Sequence, residues 1–120
     1  MSDAIELYPN NTKRIEFTVT QPQAGEGTAP VSGLNPTVRL VALPTDTAAI
    51  HASLSTTALE YDATGEYYAD LQGATIAARL ADATLTYGRY YLQIVVGTTL
   101  VAVANVVVRR YRRLSVTLPS

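Results

Sequence analysis

Cysteine and tryptophan are absent from this 120-residue chain, and histidine and phenylalanine occur once each. Without cysteine there are no disulfides, thiolate nucleophiles or cysteine metal centres, and the chain is compatible with production in the cytosol. Charge is sparse: 16% of residues are charged and the formal net charge is −1. No global field exists to draw in nucleic acid or an anionic membrane. Low charge with abundant Ala, Val, Leu and Thr argues against disorder and fits a surface that stays packed in an assembly. The opening Met1-Ser2-Asp3-Ala4-Ile5-Glu6 lacks the basic and apolar regions of a signal peptide. No apolar run approaches the ~20 residues of a bilayer-spanning helix. The longest, Leu92 to Val108, is interrupted by Gln93, by Gly97-Thr98-Thr99 and by Asn105.

What the sequence does have is alternation with a period of two. In Lys13 to Thr20, Ile15, Phe17 and Val19 face one way and Arg14, Glu16, Thr18 and Thr20 the other, the mark of a half-buried strand. Thr37 to Leu43 repeats the pattern between Pro36 and Pro44, where proline belongs at strand ends. Glu66 to Leu71 pairs back on Ala58 to Tyr61 through Asp62-Ala63-Thr64-Gly65, a turn whose glycine makes positive φ cheap. A weak strand is expected around Ile50-His51-Ala52. Tyr87 to Val96 and Leu100 to Val108 flank the turn at Gly97. The β-branched richness of Leu100 to Val108 implies burial on both sides, in a sheet centre or under a partner. One helical turn, near residues 75–82, places Ile76 and Leu80 on one face and reads as a crossover between two sheets.

About seven short strands with turn signals between them, and almost no helix, predict an all-β, antiparallel immunoglobulin-like sandwich. The length suits one domain, residues 1–120, with short contact arms at 1–11 and 109–120.

Residues able to carry chemistry are few. His51 is the sole imidazole, with no nucleophile and orienting partner near it in sequence; it reads as a loop or edge-strand histidine. Asp62, Glu66 and Asp70, with Glu60 beside them, supply oxygen ligands but not the spacing of a calcium loop. On a strand, Glu66 and Asp70 share the solvated face. No metal, cofactor or enzymatic activity is expected.

Eight tyrosines offer area with a polar tip, suited to interfaces and to sugar platforms. Adjacent pairs, Tyr67-Tyr68 and Tyr90-Tyr91, must split between opposite faces. The sharpest local feature is Arg109-Arg110-Tyr111-Arg112-Arg113, which holds four of the nine basic residues. Arginine pairs bidentately with carboxylates, so docking on an acidic protein surface ranks ahead of edge protection, and both rank ahead of nucleic acid. The tail beyond it, Leu114 to Ser120, alternates apolar and polar residues. It either continues the last strand or extends as an arm that adds to a neighbour's sheet, and Ile5 to Tyr8 has the same option.

Three stretches together resemble the small immunoglobulin-like domains of tailed-bacteriophage virions, including the N-terminal domains of baseplate upper proteins. These are Pro30-Val31-Ser32-Gly33-Leu34 leading into the strand Thr37 to Leu43, Asp62-Ala63-Thr64-Gly65-Glu66-Tyr67-Tyr68, and Leu85-Thr86-Tyr87-Gly88-Arg89-Tyr90-Tyr91 followed by a Val-rich hairpin. The third also resembles the turn before strand F of immunoglobulin-like domains, where a tyrosine closes the corner; Tyr87 or Tyr90 would take that place. The resemblance covers most of the chain. It implies a virion protein made in the host cytoplasm, a capsid decoration or a neck or tail adaptor. Its partners would be other virion proteins, in many copies or as a homo-oligomer, with no nucleic acid and no membrane. The short chain would stand alone, without a fibre shaft or receptor-binding head. A carbohydrate- or host-surface-binding module is the alternative, and an enzyme using His51 the distant one.

Overall fold

The computed structural model describes residues 4–25, 27–61, 63–110 and 115–119. Among these, ten strands occur: β1 (Ile5–Leu7), β2 (Lys13–Thr18), β3 (Thr20–Pro22), β4 (Thr28–Pro30), β5 (Thr37–Val41), β6 (Ser55–Thr57), β7 (Leu59–Glu60), β8 (Glu66–Leu71), β9 (Gly88–Val96) and β10 (Thr99–Val108). The only α-helix among them, α1, spans Gly73–Ala81. The chain is mostly β, as the alternation predicts, and its strands are more numerous and shorter than the expected seven.

Five strands form one sheet in the order β1-β10-β9-β5-β6, three form a second, β2-β8-β7, and β3 and β4 form a two-stranded ribbon. All pairings are antiparallel except β1 on β10, where Ile5, Glu6 and Leu7 lie beside Val106, Val107 and Val108 in parallel. Residues 5–7 are thus taken into the chain's own sheet.

Both larger sheets contribute to one core cluster. Leu7, Val38, Leu40, Leu92, Ile94, Val106 and Val108 enter from the five-stranded sheet; Ile15, Tyr67, Ala69 and Leu71 enter from the three-stranded one. Burying each such aliphatic side chain contributes roughly 1.5–3 kcal/mol before entropy is subtracted. Helix α1 carries the chain from β8 to β9, hence from one sheet to the other, and adds Ile76 and Leu80 to the core.

The alanine-rich sequence of α1 favours helix, but Gln72 at its N-cap donates no side-chain cap. The hydroxyl of Thr12 does so instead, accepting from the Gly73 N–H at 3.0 Å. The Gly73 carbonyl in turn accepts from the Asn10 N–H at 2.9 Å. This approach requires glycine: a Cβ at position 73 would overlap backbone atoms of Asn10 and Asn11. Just past the helix and its C-cap Asp82, Ala83 is held at φ 65°, a left-handed conformation that strains an L-residue with a Cβ.

The faces of β8 and β9 divide as expected. Tyr67 is buried while Tyr68 faces outward, and Tyr90, Leu92 and Ile94 meet the core. Gly65 has φ 81°, as its turn requires. Two expectations fail. The segment Ile50-His51-Ala52 is not a strand: the His51 ring accepts from the Ser53 N–H and caps a 3-10 turn over Ala52–Leu54. Nor is β10 covered on both sides. Only Val106 and Val108 are fully buried, and its first five residues are exposed, because β9 flanks β10 along its length on one edge while β1 covers only Val106 to Val108 on the other.

Two opposite substitutions test this account of α1. Gly73→Ala is expected to destabilise the chain by about 1–3 kcal/mol through overpacking. Ala83→Gly should stabilise it by about 0.5–1 kcal/mol, relief of the left-handed strain outweighing the entropy of glycine. Urea denaturation of the two variants gives both signs.

Candidate functional site

The arginine cluster begins where β10 ends. The Arg109 N–H donates to the Leu7 carbonyl at 2.9 Å, the last bond that ties the exit strand to β1. Arg109 then reaches the Glu6 carboxylate at 3.5 Å, both side chains about half exposed. The Arg110 guanidinium lies 4.6 Å from the centre of the Tyr87 ring. Tyr111, Arg112 and Arg113 lie outside the described residues.

The sheet register brings in a residue that the linear cluster does not contain. Arg89 sits opposite Val107 in the β9–β10 ladder, so it shares a face with Val107 and Arg109. Tyr91 and Asn105 form the next pair on that face. Together with Ala4 these residues line a groove of about 230 Å³. Arg89 and Arg109 stand at its rim, both exposed, with an aromatic and an amide beside them. Two guanidiniums a ladder step apart present forked donors suited to carboxylates. An exposed ion pair such as Arg109–Glu6 is weak, so Glu6 holds Arg109 only loosely.

The sequence carries no mark for Arg89. It stands twenty residues before Arg109, inside the Tyr87 to Tyr91 stretch, and only the strand register joins the two.

The remaining candidates are occupied locally. Glu60 is a staple: its carboxylate accepts from the Ser32 hydroxyl at 2.8 Å, the Gly33 N–H at 3.2 Å and the Gly65 N–H at 2.8 Å. These bonds, Gly65 first, hold its pKa below the ordinary glutamate value. Asp70 faces Arg14 across the β2–β8 ladder and accepts from its guanidinium at 2.9 and 3.2 Å, which lowers its pKa likewise. The same guanidinium lies 4.2 Å from the centre of the Tyr68 ring. Asp62 lies outside the described residues, and no group of metal-ligating side chains occurs among those described.

His51 has Ser53 Oγ at 2.8 Å from Nδ1. Its Nε2, however, faces Arg79 Nη1 at 2.6 Å. Both ring nitrogens are thus engaged within the chain, Nδ1 by Ser53 and Nε2 by Arg79. Arg79 is itself paired to Asp82 at 3.0 Å. Asp82 Oδ1 also accepts from the Thr84 N–H at 2.9 Å, and contacts to Thr84 lead the causes that lower its pKa.

Two tyrosines and a glutamine hold the loops around the sheets. Tyr67 OH donates to the Val31 carbonyl at 2.8 Å and receives the Leu34 N–H at 3.2 Å. Tyr90 OH receives the Thr86 N–H at 3.1 Å, a bond from the hydroxyl to backbone four residues upstream. Gln93, buried on the face of β9 away from the core, donates to the carbonyls of Pro44 and Asp46 at 3.0 and 2.7 Å and accepts from Arg39 at 2.6 Å. No helix among the described residues is long and apolar enough to cross a membrane.

No family model matches the chain, and no curated protein matches it.

The carboxylates dictate how stability depends on pH. Glu60, Asp70 and Asp82 all have pKa values below their ordinary ones, so the unfolded state binds more protons in acid. Their contribution is fully present above the unfolded values of about 4 and is lost as pH falls through the folded ones. Urea midpoints are therefore expected to hold level from pH 7 to 5 and to fall below about pH 4.5. Glu60→Gln, which keeps only one acceptor oxygen, should lower the midpoint at pH 7 and flatten the acid decline. An unchanged pH profile in that variant would contradict the staple.

Proposed function

We propose that this chain is a non-enzymatic, immunoglobulin-like binding domain of a tailed-phage virion, a capsid decoration or a neck or tail adaptor, that docks on an acidic protein surface through its arginine-bearing end. The observation that carries the docking half is the meeting of Arg89 and Arg109, where β9 starts and β10 ends, at a groove that also holds Tyr91 and Asn105, with Arg110 set over Tyr87 nearby. Arg112 and Arg113 follow in sequence, outside the described residues. Arginine and tyrosine are both enriched at the hot spots of protein interfaces, and a local group of arginines on a chain of net charge −1 steers by orientation rather than by total charge.

The immunoglobulin-like half has its support in the tyrosine turn. Tyr90 OH bonded to the Thr86 backbone has the form of the corner that closes such domains before strand F. The crossover by α1 between two sheets that share a core is in keeping with it. The virion assignment comes from the resemblance of the three stretches alone, and fold does not fix function.

Purified particles provide the test. The protein is expected in them by mass spectrometry. A chain carrying Arg89→Ala, Arg109→Ala and Arg110→Ala should bind particles stripped of the protein at least ten-fold more weakly, with the loss mimicked by raised salt, because exposed charge pairs are screened. Its thermal midpoint should stay near that of the unsubstituted chain. Absence from particles rejects the virion role; unaltered binding by the triple variant rejects the arginine end.

A further inference from the structure

Beyond the arginine docking, and independent of it, lies the bare part of β10. β1 covers the second edge of this strand only from Val106 to Val108. From Thr99 to Asn105 no described strand pairs with that edge. Natural sheets protect such edges with charge, proline or short length. This one is seven residues long and has neither charge nor proline. Its one irregularity is a bulge between Leu100 and Ala102, after which Ala102 to Asn105 runs regularly. The segment is also apolar: Leu100, Val101 and Val103 are 43%, 50% and 44% exposed.

The chain contains a strand-like segment without a sheet as well. Ser115 to Pro119 has no regular secondary structure, and its Val116 and Leu118 are the most exposed large hydrophobic residues described, at 78% and 83%. Ser115-Val116-Thr117-Leu118 alternates with the strand period, carries no charge, and is followed by Pro119, which stops a ladder.

We infer that Ser115 to Leu118 of one copy adds as a strand to the β10 edge, at Ala102 to Asn105, of a second copy. Both partners are uncharged, so neither desolvates an ion, and each leaves apolar side chains in water when alone. The second copy is preferred to the chain's own tail because Arg109 is bonded to Leu7, which sends the tail off at the β1 end. To reach Ala102 to Asn105 in its own molecule it would have to double back past β1. Strand addition supplies main-chain hydrogen bonds for affinity and alternate side chains for register. The contact is head-to-tail, and such contacts close into rings or run on as open arrays.

The full chain is expected to sediment as a dimer or larger species at high concentration. Val116→Lys with Leu118→Lys should reduce it to monomer, as should Val103→Lys, with a thermal midpoint equal to that of the unsubstituted chain when both are diluted to monomer. Arg89→Ala and Arg109→Ala should leave the assembly intact, which separates this contact from the arginine docking. Since the chain has no cysteine, disulfide trapping is clean. Val116→Cys in one chain is oxidised against Leu100→Cys, Val101→Cys or Val103→Cys in another of different tagged mass. A mixed dimer at one or more of the three positions is expected. A monomeric full chain, an assembly indifferent to both lysine variants, or closure only within a doubly substituted chain would overturn the inference.

Discussion

The structure depends on the burial of β9 on both faces. From Leu92 to Val95 every side chain of this strand is buried. Leu92 and Ile94 point into the shared core, and Gln93 and Val95 point the other way. A glutamine is admitted there because its three bonds, to Arg39, Pro44 and Asp46, leave its amide satisfied; unpaired, it would cost ~1–3 kcal/mol. Those bonds also draw the segment after β5 across the outer face of the sheet. β5 and β10 are laid along the two edges of β9, and β1 and β6 are placed only through them.

From this follows the contrast between the two ends of the β9–β10 hairpin. At the end where β9 begins, register sets Arg89 beside Val107, and β1 fastens the exit of β10, so arginines from separate stretches converge. At the turn end β9 stays buried but the outer edge of β10 has no neighbour among the described residues, and valine and leucine are left in water. The three-stranded sheet is closed by local means: the Glu60 staple, the Arg14–Asp70 pair on β2 and β8, and Tyr68 beneath Arg14. Chemistry-bearing residues there are used up in holding the fold, whereas those at the hairpin ends have little to hold.

Much of the fold was legible because strand alternation and helical spacing are local. Ile15 and Phe17 facing one way, Tyr67 split from Tyr68, positive φ at Gly65 and a helical crossover around Ile76 are all read from neighbours in sequence. What stayed hidden depends on partners far along the chain. Glu60 looked like part of an acidic patch because Ser32 and Gly33 are nearly thirty residues before it. His51 became a cap instead of a strand residue because Ser53 competes for its ring. The valines of β10 suggested burial, since composition says what a strand would bury and not whether a neighbour is there to cover it. For the candidate site, the linear cluster is read from sequence, but Arg89 joins it only through the ladder.

The account's central claim is that binding belongs to the two ends of one hairpin while the rest of the domain is a passive body. Amide hydrogen exchange, compared between the free chain and the chain in its purified particle, tests it directly. Added protection is expected over Thr99 to Asn105 and from Arg109 onward, with β2, β8 and α1 unchanged. Protection gained instead across the Arg14, Tyr68 and Asp70 face of the three-stranded sheet, with both hairpin ends unaltered, would contradict it.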